Sequence, residues 1–396
     1  MITVEQIKQL ASSQFNRIRL IRQHLHKNPE LSFKEYQTQA YVIDRLQEIG
    51  ITQITKLADT GVVAIIEGIN PEKKTIALRA DMDALPIVEQ NKTSYTSIHS
   101  GVMHACGHDV HTANLLGAAS ILFELKGEFE GRIKLVFQPG EEKLPGGASI
   151  MIKEGVLENP QVNSMIGLHV MPLLPVGTVG FRKGLYMAST DELYITIKGK
   201  GGHGAMPHLN VDPVLIAAHL ITGLQQIVSR NANPIVPSVL SFGKVIANGA
   251  TNVIPEQVQL EGTFRTLDEP WRAKAHENMI KLATAIVEGM GGTIEFEIRK
   301  GYPFLYNNEH VTMHAQQAAK EYLGDDKVVD LDIWMAAEDF AFYSQQVPAT
   351  FYRLGTRNES KGIVSSVHTP TFDIDEDALE IGIGLTSWIA IQELQR

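Results

Sequence analysis

The single cysteine of this 396-residue chain, Cys106, lies between histidines in the stretch "MHACGHDVH" (103–111). A lone cysteine is most often a small buried apolar side chain. Thiolate, imidazole and carboxylate are also the usual donors for zinc-like cations, and this stretch offers all three. Its spacing does not fit a zinc finger, which needs paired Cys or His at set separations. The stretch alone leaves both a metal ligand and a core thiol open, so the rest of the chain must supply further ligands.

Acidic and imidazole side chains also occur at the ends of three stretches rich in Val, Ile and Leu. These stretches are predicted strands with such side chains at or just beyond their ends: "TIALRA" (75–80) before Asp81 and Asp83, "RIKLVF" (132–137) before Glu141 and Glu142, and "SMIGLHV" (164–170) with His169 near its end. Functional groups of open α/β sheets gather at the carboxyl ends of the strands. This convergence, together with "HACGHD" ahead of a predicted helix, favours a metal site.

Glu141 and Glu142 form an acidic pair in "QPGEE" (138–142). Such a pair usually consists of two solvated charges in a loop. Here Gly140 precedes it and "GGA" follows shortly after, and small residues let a backbone approach a ligand closely. Neighbouring carboxylates can also divide the work, since one can bind a metal while the other moves protons. We therefore interpret the pair as functional.

A glycine-rich stretch, "GKGGHG" (199–204), matches the G-x-G-x-x-G pattern of dinucleotide-binding sites. That pattern needs an acidic residue about 20 positions later to bind ribose, yet no Asp or Glu occurs from 213 to 255. Pro207 also interrupts the helix that should follow. A dinucleotide site is therefore rejected, while a flexible turn would leave His203 without a purpose.

The order of predicted elements indicates two domains, as the length of the chain suggests. An amphipathic helix capped by Thr3 comes first, and strands then alternate with helices, as in an α/β sheet covered on both faces. The middle of the chain has the order β-α-β-β-α-β, typical of two helices on a four-stranded sheet. We predict a discontinuous catalytic domain, 1–185 plus 301–396, with a smaller domain inserted at 186–300.

The composition restricts the class of protein. The formal net charge is −10 at pH 7 and no basic block offsets it, which argues against a nucleic-acid partner. A single cysteine rules out an intrachain disulfide and suits a reducing compartment. The N-terminus does not have the pattern of a signal peptide, and no apolar run reaches membrane-spanning length. We therefore expect a cytoplasmic protein without nucleic-acid or membrane partners.

Together these motifs resemble those of the M20 metallopeptidase family, most closely its amidohydrolases that act on N-acyl amino acids, hippurate and auxin conjugates. Nine motifs run in the family's order: "RADMDALP" (79–86), "MHACGHDVH" (103–111), "QPGEE" (138–142), "GLHV" (167–170), "GGHGAMPH" (201–208), "TNVIP" (251–255), "GTFRTLD" (262–268), "AAEDFAFY" (336–343) and "HTPTFDIDE" (368–376). Any one is weak, but nine in order are highly specific. The resemblance implies a mixed-sheet, zinc-peptidase-like catalytic domain with an inserted ferredoxin-like lid domain.

The resemblance also implies a centre of two divalent metal ions: zinc, manganese, cobalt or nickel. Its ligands would be Cys106, His108, Glu142, His169 and His368. A lone histidine such as His368 is more often a surface or core residue. It becomes a candidate ligand only because the other four residues of this set accompany it. In the family's peptidases a His-x-Asp pair stands where this chain has Arg79-Ala-Asp81. Asp81 would accordingly orient a metal-bound imidazole.

Further roles follow from the same resemblance. Glu141 would be the general base, and His203 from the lid would donate a hydrogen bond to the developing oxyanion. Asn252 and Arg265 are candidates for binding the carboxylate of the substrate. Glu338 would line the site without an assigned role.

The implied activity is hydrolysis of N-acetyl, N-benzoyl or similar N-acyl amino acids by a hydroxide held between the metals. A dipeptidase and a dedicated N-acetyl-diaminopimelate-type deacetylase are alternatives with the same chemistry. A non-catalytic metal-containing binding protein is a third, but the intact "QPGEE" argues against it, because a structural site needs no spare carboxylate beside its ligand. A homodimer or homotetramer could form through the lid.

Overall fold

Two long helices open the chain and are followed by a mixture of strands and helices. The computed structural model describes residues 2–396, and within them its strands are β1 (Ile54–Leu57), β2 (Gly61–Glu67), β3 (Thr75–Asp81), β4 (Arg132–Gln138), β5 (Ser164–Pro175), β6 (Val179–Phe181), β7 (Gly184–Met187), β8 (Asp191–Lys198), β9 (Gly202–His203), β10 (Ser238–Ile246), β11 (Val253–Ile254), β12 (Gln257–Thr266), β13 (Thr293–Lys300), β14 (Leu305–Asn307), β15 (Val328–Asp330) and β16 (Ala349–Arg357). The α-helices are α1 (Val4–Lys27), α2 (Tyr36–Ile49), α3 (His108–Glu124), α4 (Gly147–Lys153), α5 (Pro213–Leu224), α6 (Glu269–Gly289), α7 (Glu309–Leu323), α8 (Ala341–Ser344) and α9 (Asp377–Leu394).

The chain divides into two compact units. The first comprises the residues up to Tyr186 together with Tyr306–Ile333 and Asp339–Arg396, and the second comprises Met187–Leu305 with Trp334–Glu338. The second unit thus contains 334–338, whereas the sequence predicts an inserted domain at 186–300 alone. The catalytic role of the first unit and the lid role of the second stay predictions.

The first unit is built on an eight-stranded sheet with the order β1-β2-β4-β3-β5-β16-β6-β15. β3 lies parallel to both β4 and β5, β5 lies parallel to β16, and β2 lies antiparallel to β4. The prediction of an α/β fold with a mixed sheet is therefore confirmed. Because β4, β3 and β5 are adjacent and parallel, their carboxyl ends meet at one edge of the sheet, as the sequence analysis expected.

Apolar helices cover this sheet. Every residue of β3 is buried, as is typical of a strand packed on both faces. α3 is buried along almost its whole length and packs against α1 and α9. The side chain of Thr3 accepts a hydrogen bond from the backbone N–H of Gln6, so Thr3 caps α1 as predicted. Since α3 starts at His108, this packing fixes one end of the candidate metal motif.

The second unit has its own sheet and core. Its four strands have the order β10-β12-β8-β13, and all neighbours are antiparallel. Alternate residues of β8, including Leu193, Ile195 and Ile197, are buried against α5 and α6. α5 begins at Pro213, and the side chain of Asp212 caps it. The order of these six elements is the predicted β-α-β-β-α-β.

Among the residues that the structure describes, no helix is both long enough and apolar enough to span a bilayer.

Candidate metal centre

Cys106 lies in the loop that leads into α3, close to two imidazole rings. Its Sγ atom is 3.5 Å from Nε2 of His169 and 3.3 Å from Nε2 of His368. The backbone N–H of His368 donates to the carbonyl oxygen of Ala105 at 2.7 Å, which ties the two loops together. Residues 63 and 262 positions from Cys106 in the chain are thereby brought to its sulfur.

Gly107, between Cys106 and His108, permits this arrangement. Its φ is +84°, in the left-handed region, and a Cβ atom there would lie 2.5 Å from Cγ2 of Val170. Only glycine accepts this conformation and this close approach without strain. The turn at Gly107 lets Cys106 and His108 project toward the same point.

His108 and the acidic pair complete the cluster. Nε2 of His108 is buried and forms no hydrogen bond, whereas Nδ1 contacts Oδ1 of Asp83 at 3.1 Å. Glu142 lies beside His368, with Oε1 at 3.1 Å from Nε2. Donor atoms of His108, Glu141 and Glu142 also lie within 4.8 Å of one another. A buried imidazole nitrogen without a hydrogen bond is expected where a cation completes the site.

The donor set fits a borderline-soft divalent cation. Two further groups of three donors lie within the same 4.8 Å limit, Cys106–His108–His169 and Cys106–Glu142–His368. Nδ1 of His169 donates to the carbonyl oxygen of Val170 at 2.8 Å, which leaves Nε2 as its metal-binding atom. One thiol, three imidazoles and a carboxylate are the ligand types that zinc and its neighbours in the first transition row prefer.

The electrostatics of the cluster also favour a cation. Burial raises the pKa of the Cys106 thiol well above its ordinary value, and the carboxylates of Glu142 and Glu141 raise it further. Burial alone would lower the pKa of His108, but Asp81 and Asp83 outweigh burial and raise it to about 10. The cluster therefore carries an excess of negative charge that a divalent ion would neutralise.

Asp83, to which the sequence analysis gives no role, contacts the imidazole of His108. Asp83 accepts from His108 through Oδ1, and its Oδ2 accepts from the Ser32 hydroxyl at 2.6 Å and from the backbone N–H of Glu142 at 3.0 Å. Asp81 instead contacts His111 and Arg79, and its Oδ2 is 3.6 Å from Nε2 of His108. Asp83 therefore orients the His108 imidazole, and the role of Asp81 in orienting a metal-bound imidazole stays a prediction.

Glu141 accepts a hydrogen bond from one backbone N–H group, and the residue before it is anchored by another side chain. The backbone N–H of Gly140 donates to Oε1 of Glu35 at 2.8 Å, and the N–H of Asp339 donates to Oε1 of Glu141 at 3.4 Å. The Asp339 carboxylate is bound in turn by the Arg79 guanidinium at 2.8 Å. Glu141 itself is buried, with 7% of its surface exposed. Its carboxylate therefore has a fixed position next to the metal-binding carboxylate of Glu142.

Several residues of this environment were missed by the sequence analysis. Asp83 was noted in its motif but given no role. Glu35, Arg79, His111 and Asp339 were given none either, although three of them lie inside quoted motifs. Glu35 lies outside every motif, and its contact with Gly140 joins positions 105 residues apart.

The remaining predicted residues, His203, Asn252, Arg265 and Glu338, belong to the second unit. Within that unit β9 pairs with β11, so that His203 lies opposite Val253 and the N–H of Gly204 donates to the carbonyl oxygen of Asn252. Nδ1 of His203 accepts from the backbone N–H of Ala205 at 3.1 Å, so Nε2 carries the proton. Nε of Arg265 donates to the Thr263 hydroxyl, and Glu338 is buried. The roles of these four residues stay predictions.

Comparison with known proteins gives matches over most of the chain. A model of peptidase family M20/M25/M40 matches residues 77–390. The N-acetyl-L-cysteine deacetylase of Bacillus subtilis strain 168 is 41% identical over 91% of this chain and 84% of its own length. Thermostable carboxypeptidase 2 of Saccharolobus solfataricus is 39% identical over 94% of each chain. Among solved structures, the Bacillus subtilis YXEP protein, a dinuclear metal-binding peptidase from the M20 family, matches with a TM-score of 0.82 and 35% identity over 97% of this chain and 99% of that one.

Proposed function

Because the chain belongs to peptidase family M20/M25/M40, we propose that this amide-hydrolysing enzyme cleaves N-acyl amino acids, such as N-acetyl or N-benzoyl amino acids, with two divalent metal ions. The observation that carries the proposal is the meeting of five donor side chains beside one further carboxylate, Glu141. A purely structural metal site has no use for such a carboxylate. The similarity to an N-acetyl-L-cysteine deacetylase supports an acyl amino acid as substrate.

Cys106, His108, Glu142, His169 and His368 would hold the metal ions. Cys106, His108 and Glu142 each belong to two of the three-donor groups described above, and this overlap supports two ions rather than one. The similarity to a dinuclear metal-binding peptidase supports the same number. Zinc, manganese, cobalt and nickel all suit this mixture of donors. When bound, such ions polarise an amide carbonyl and make water acidic enough to supply hydroxide near neutral pH.

Glu141 would move the protons of the reaction. Its carboxylate takes a proton from the attacking water and returns it to the nitrogen of the departing amine. This role needs a carboxylate in a fixed place, and the N–H of Asp339 together with the Gly140–Glu35 contact supports such a place. Glu141 is buried, which excludes most competing bulk water from its carboxylate.

The second unit would contribute the groups that recognise substrate. The proton on Nε2 of His203 suits a donor to the developing oxyanion, and a donor of this kind is worth about 2.7–4 kcal/mol. Arg265 can bind a carboxylate through two parallel hydrogen bonds, and Asn252 can add another. We include Glu338 among the residues lining the substrate.

A peptidase is the second candidate function, since a thermostable carboxypeptidase is among the similar proteins. A dipeptidase and an N-acetyl-diaminopimelate-type deacetylase would use the same metal centre and differ only in the pocket. A panel of N-acetyl, N-benzoyl and dipeptide substrates, assayed with each of the four metals, separates these activities. We expect the N-acyl amino acids to give the highest kcat/KM, with activity lost on chelation and restored by added metal. Hydrolysis of dipeptides alone would favour the peptidase, and no hydrolysis with any metal would contradict both.

We also propose that the second unit joins copies of the chain into a homodimer or homotetramer. β10 is an edge strand of its sheet, and α5 exposes Val214 and Leu215, with 41% and 52% of their surfaces accessible. Exposed apolar side chains and an unpaired strand edge each favour association. Sedimentation analysis tests this, and a monomer at micromolar concentration would contradict it. A cytoplasmic location, based on the single cysteine, belongs to the same proposal.

A further inference from the structure

We infer that His111 and Asp81 are positioning residues for His169, and that they act through the backbone of Val170. The inference deepens the proposed function, because it rests on His169 being a metal ligand. His111 lies on α3 one turn after His108, whereas His169 lies on β5. We call the chain of hydrogen bonds from Arg79 through Asp81 and His111 to Val170 the relay. It explains why the buried His111 is bound to an aspartate and to the backbone instead of pointing toward a cation.

The backbone of Val170 links the two histidines. Its N–H donates to Nε2 of His111 at 2.9 Å, and its carbonyl oxygen accepts from Nδ1 of His169 at 2.8 Å. Pairing of β5 with β3 ends at Gly167, three residues before Val170. His111 therefore supplies an acceptor beyond the end of that ladder. Without it, a buried backbone N–H next to a metal ligand would be left unsatisfied.

These contacts settle the protonation of His111. Because Nε2 accepts from Val170, it carries no proton, so Nδ1 carries the proton and donates to Oδ1 of Asp81 at 2.5 Å. Both ring nitrogens are therefore in use. His111 is not a metal ligand in this arrangement, although its donor atoms lie within 4.8 Å of those of Asp81 and His108.

Asp81 is itself fixed at its other atoms. Oδ2 accepts from Nη1 of Arg79 at 2.6 Å, and the carbonyl oxygen of Asp81 accepts from the Thr112 hydroxyl at 2.8 Å. Asp81, His111 and Arg79 expose 3% of their surfaces or less. Since water does not compete with these hydrogen bonds, the relay from Arg79 to Val170 holds one geometry.

The relay matters most for the ion that His169 binds. Nε2 of His169 lies 3.5 Å from Sγ of Cys106, so both atoms would bind the same cation. Metal ligands need to be held within about 0.5 Å of their working positions. A freed Val170 N–H would seek another acceptor and would move the backbone that orients the His169 ring.

A pair of substitutions at position 111 tests the relay. The side-chain amide of His111→Asn lies near the position of Nδ1 and ends short of Val170, whereas that of His111→Gln extends to the position of Nε2 and can accept from the Val170 N–H. Asn114→Ala is the matched control: Asn114 is buried on the same helix and donates to the Thr386 hydroxyl, outside the relay. Each full-length variant is titrated with Co²⁺, and the charge-transfer absorption of the Cys106 thiolate reports the ion bound by Cys106 and His169.

We expect His111→Asn to weaken binding of that ion about 10–100-fold, as is usual when a hydrogen-bond partner of a ligand is lost. The thiolate absorption should change in position or intensity at saturation. His111→Gln should bind within a few-fold of the wild type, and Asn114→Ala should match the wild type. Asp81→Asn keeps the length of the side chain and should give a smaller loss of affinity than His111→Asn. It serves as the second variant if His111→Asn fails to fold.

Three results would overturn the inference: wild-type affinity and absorption in both His111→Asn and Asp81→Asn, an equal loss in His111→Gln and His111→Asn, or an equal loss in Asn114→Ala. The second would point to His111 as a ligand, and the third to general destabilisation. The titration needs no substrate, so it stands apart from the proposed function. A wild type that binds cobalt but hydrolyses no amide would contradict that function and leave the relay intact.

Discussion

The thiol of Cys106 lies among groups that oppose its ionisation. Burial and the neighbouring carboxylates of Glu142 and Glu141 raise its pKa, so a proton or a cation must neutralise the sulfur. A cysteine that served only as a small apolar side chain would gain nothing from such neighbours. A divalent cation is stabilised by the sulfur and by the carboxylates together, which favours the ligand interpretation.

Cys106→Ser should lower the metal content of the purified protein. A hydroxyl is a much weaker donor than a thiolate toward zinc-like ions, and the change removes a donor that belongs to two of the three-donor groups. Elemental analysis after dialysis measures the ratio of metal to protein. Ala105→Ser, which adds a hydroxyl to the neighbouring buried residue, is the control and should keep its metal. Unchanged stoichiometry in Cys106→Ser would contradict the ligand role.

Glu141→Gln and Glu142→Gln should have different effects although the residues are adjacent. Glu141→Gln keeps the shape of the side chain but cannot take a proton, so kcat should fall by about 10²–10⁴-fold while the metal content stays the same. Glu142→Gln should lose metal, because it removes a charged ligand. Parallel measurement of kcat and metal content separates the two. Near-native turnover in Glu141→Gln would remove it from the role of base.

Arg265→Ala should raise KM for substrates with a free carboxylate far more than for their amides. A guanidinium binds a carboxylate through two charged hydrogen bonds, and a carboxamide cannot replace that pairing. Initial rates with an N-acyl amino acid and its carboxamide provide the comparison within one variant. If KM rises equally for both, the substrate carboxylate is bound by another residue.

Residue types and spacing predicted which donors meet, but not which neighbours orient them. Asp81 and Asp83 are two positions apart in one motif, and the resemblance pointed to Asp81. The structure shows that Asp81 is the last residue of β3 and Asp83 lies beyond it, so their carboxylates have different surroundings. This difference depends on where the strand ends relative to α3, and no pattern of residue types encodes that position.

At the scale of elements, the loop 139–142 depends on a short segment before α2. Phe33 has φ of +62°, uncommon for a bulky residue, and its ring packs on Gly140, where a Cβ atom would come within 2.4 Å of the ring. Glu35 accepts from the N–H groups of Phe33 and Gly140 and from the Thr60 hydroxyl. The segment therefore holds the backbone that precedes Glu141.

Glu35 should make the stability of the metal-free protein depend on pH. Burial and the charge of Asp83 raise the pKa of Glu35 to about 7, whereas the same group in the unfolded chain titrates near its ordinary value, about 4.3. Between these values the folded state keeps a proton that the unfolded state has lost. The free energy of unfolding should therefore fall as pH rises through this window, by about 4 kcal/mol at most.

Glu35→Gln should remove this contribution. Its amide oxygen can still accept from Phe33 and Gly140, and its NH₂ group can donate to Thr60. Urea unfolding of metal-free wild type and variant at pH 5 and pH 8 measures the change, and the advantage of the variant should be greater at pH 8. Glu124→Gln, at the exposed end of α3, is the control. The same pH dependence in wild type and Glu35→Gln would show that Glu35 titrates normally.

The elements themselves were largely predictable. "TIALRA" and "RIKLVF" match β3 and β4 to within a residue or two, because runs of Val, Ile and Leu of this length fit a buried strand. The contact of Phe33 and Glu35 with Gly140 was not predictable. It depends on how a loop before α2 packs against a loop after β4, and local sequence carries no information on such packing.

At the scale of the whole molecule, the two units have separate apolar cores, and all five candidate ligands belong to the first. They come from four segments of the chain between residues 106 and 368. A cation bound by these ligands would cross-link segments that only the backbone joins covalently. Metal binding should therefore stabilise the first unit, because only its folded state assembles the site.

Removal of metal should increase hydrogen exchange in the first unit selectively. At a metal concentration of 100 times Kd, binding stabilises the folded state by about 2.7 kcal/mol, or roughly 100-fold in exchange rate. We expect chelation to speed exchange most in the ligand-bearing stretches 104–108, 139–142 and 365–370. Strands β8 and β12 of the second unit serve as the internal control and should be unaffected. Equal changes in both units would show that the bound metal stabilises the molecule as one cooperative body, and unchanged exchange at all three stretches would contradict their role as ligand loops.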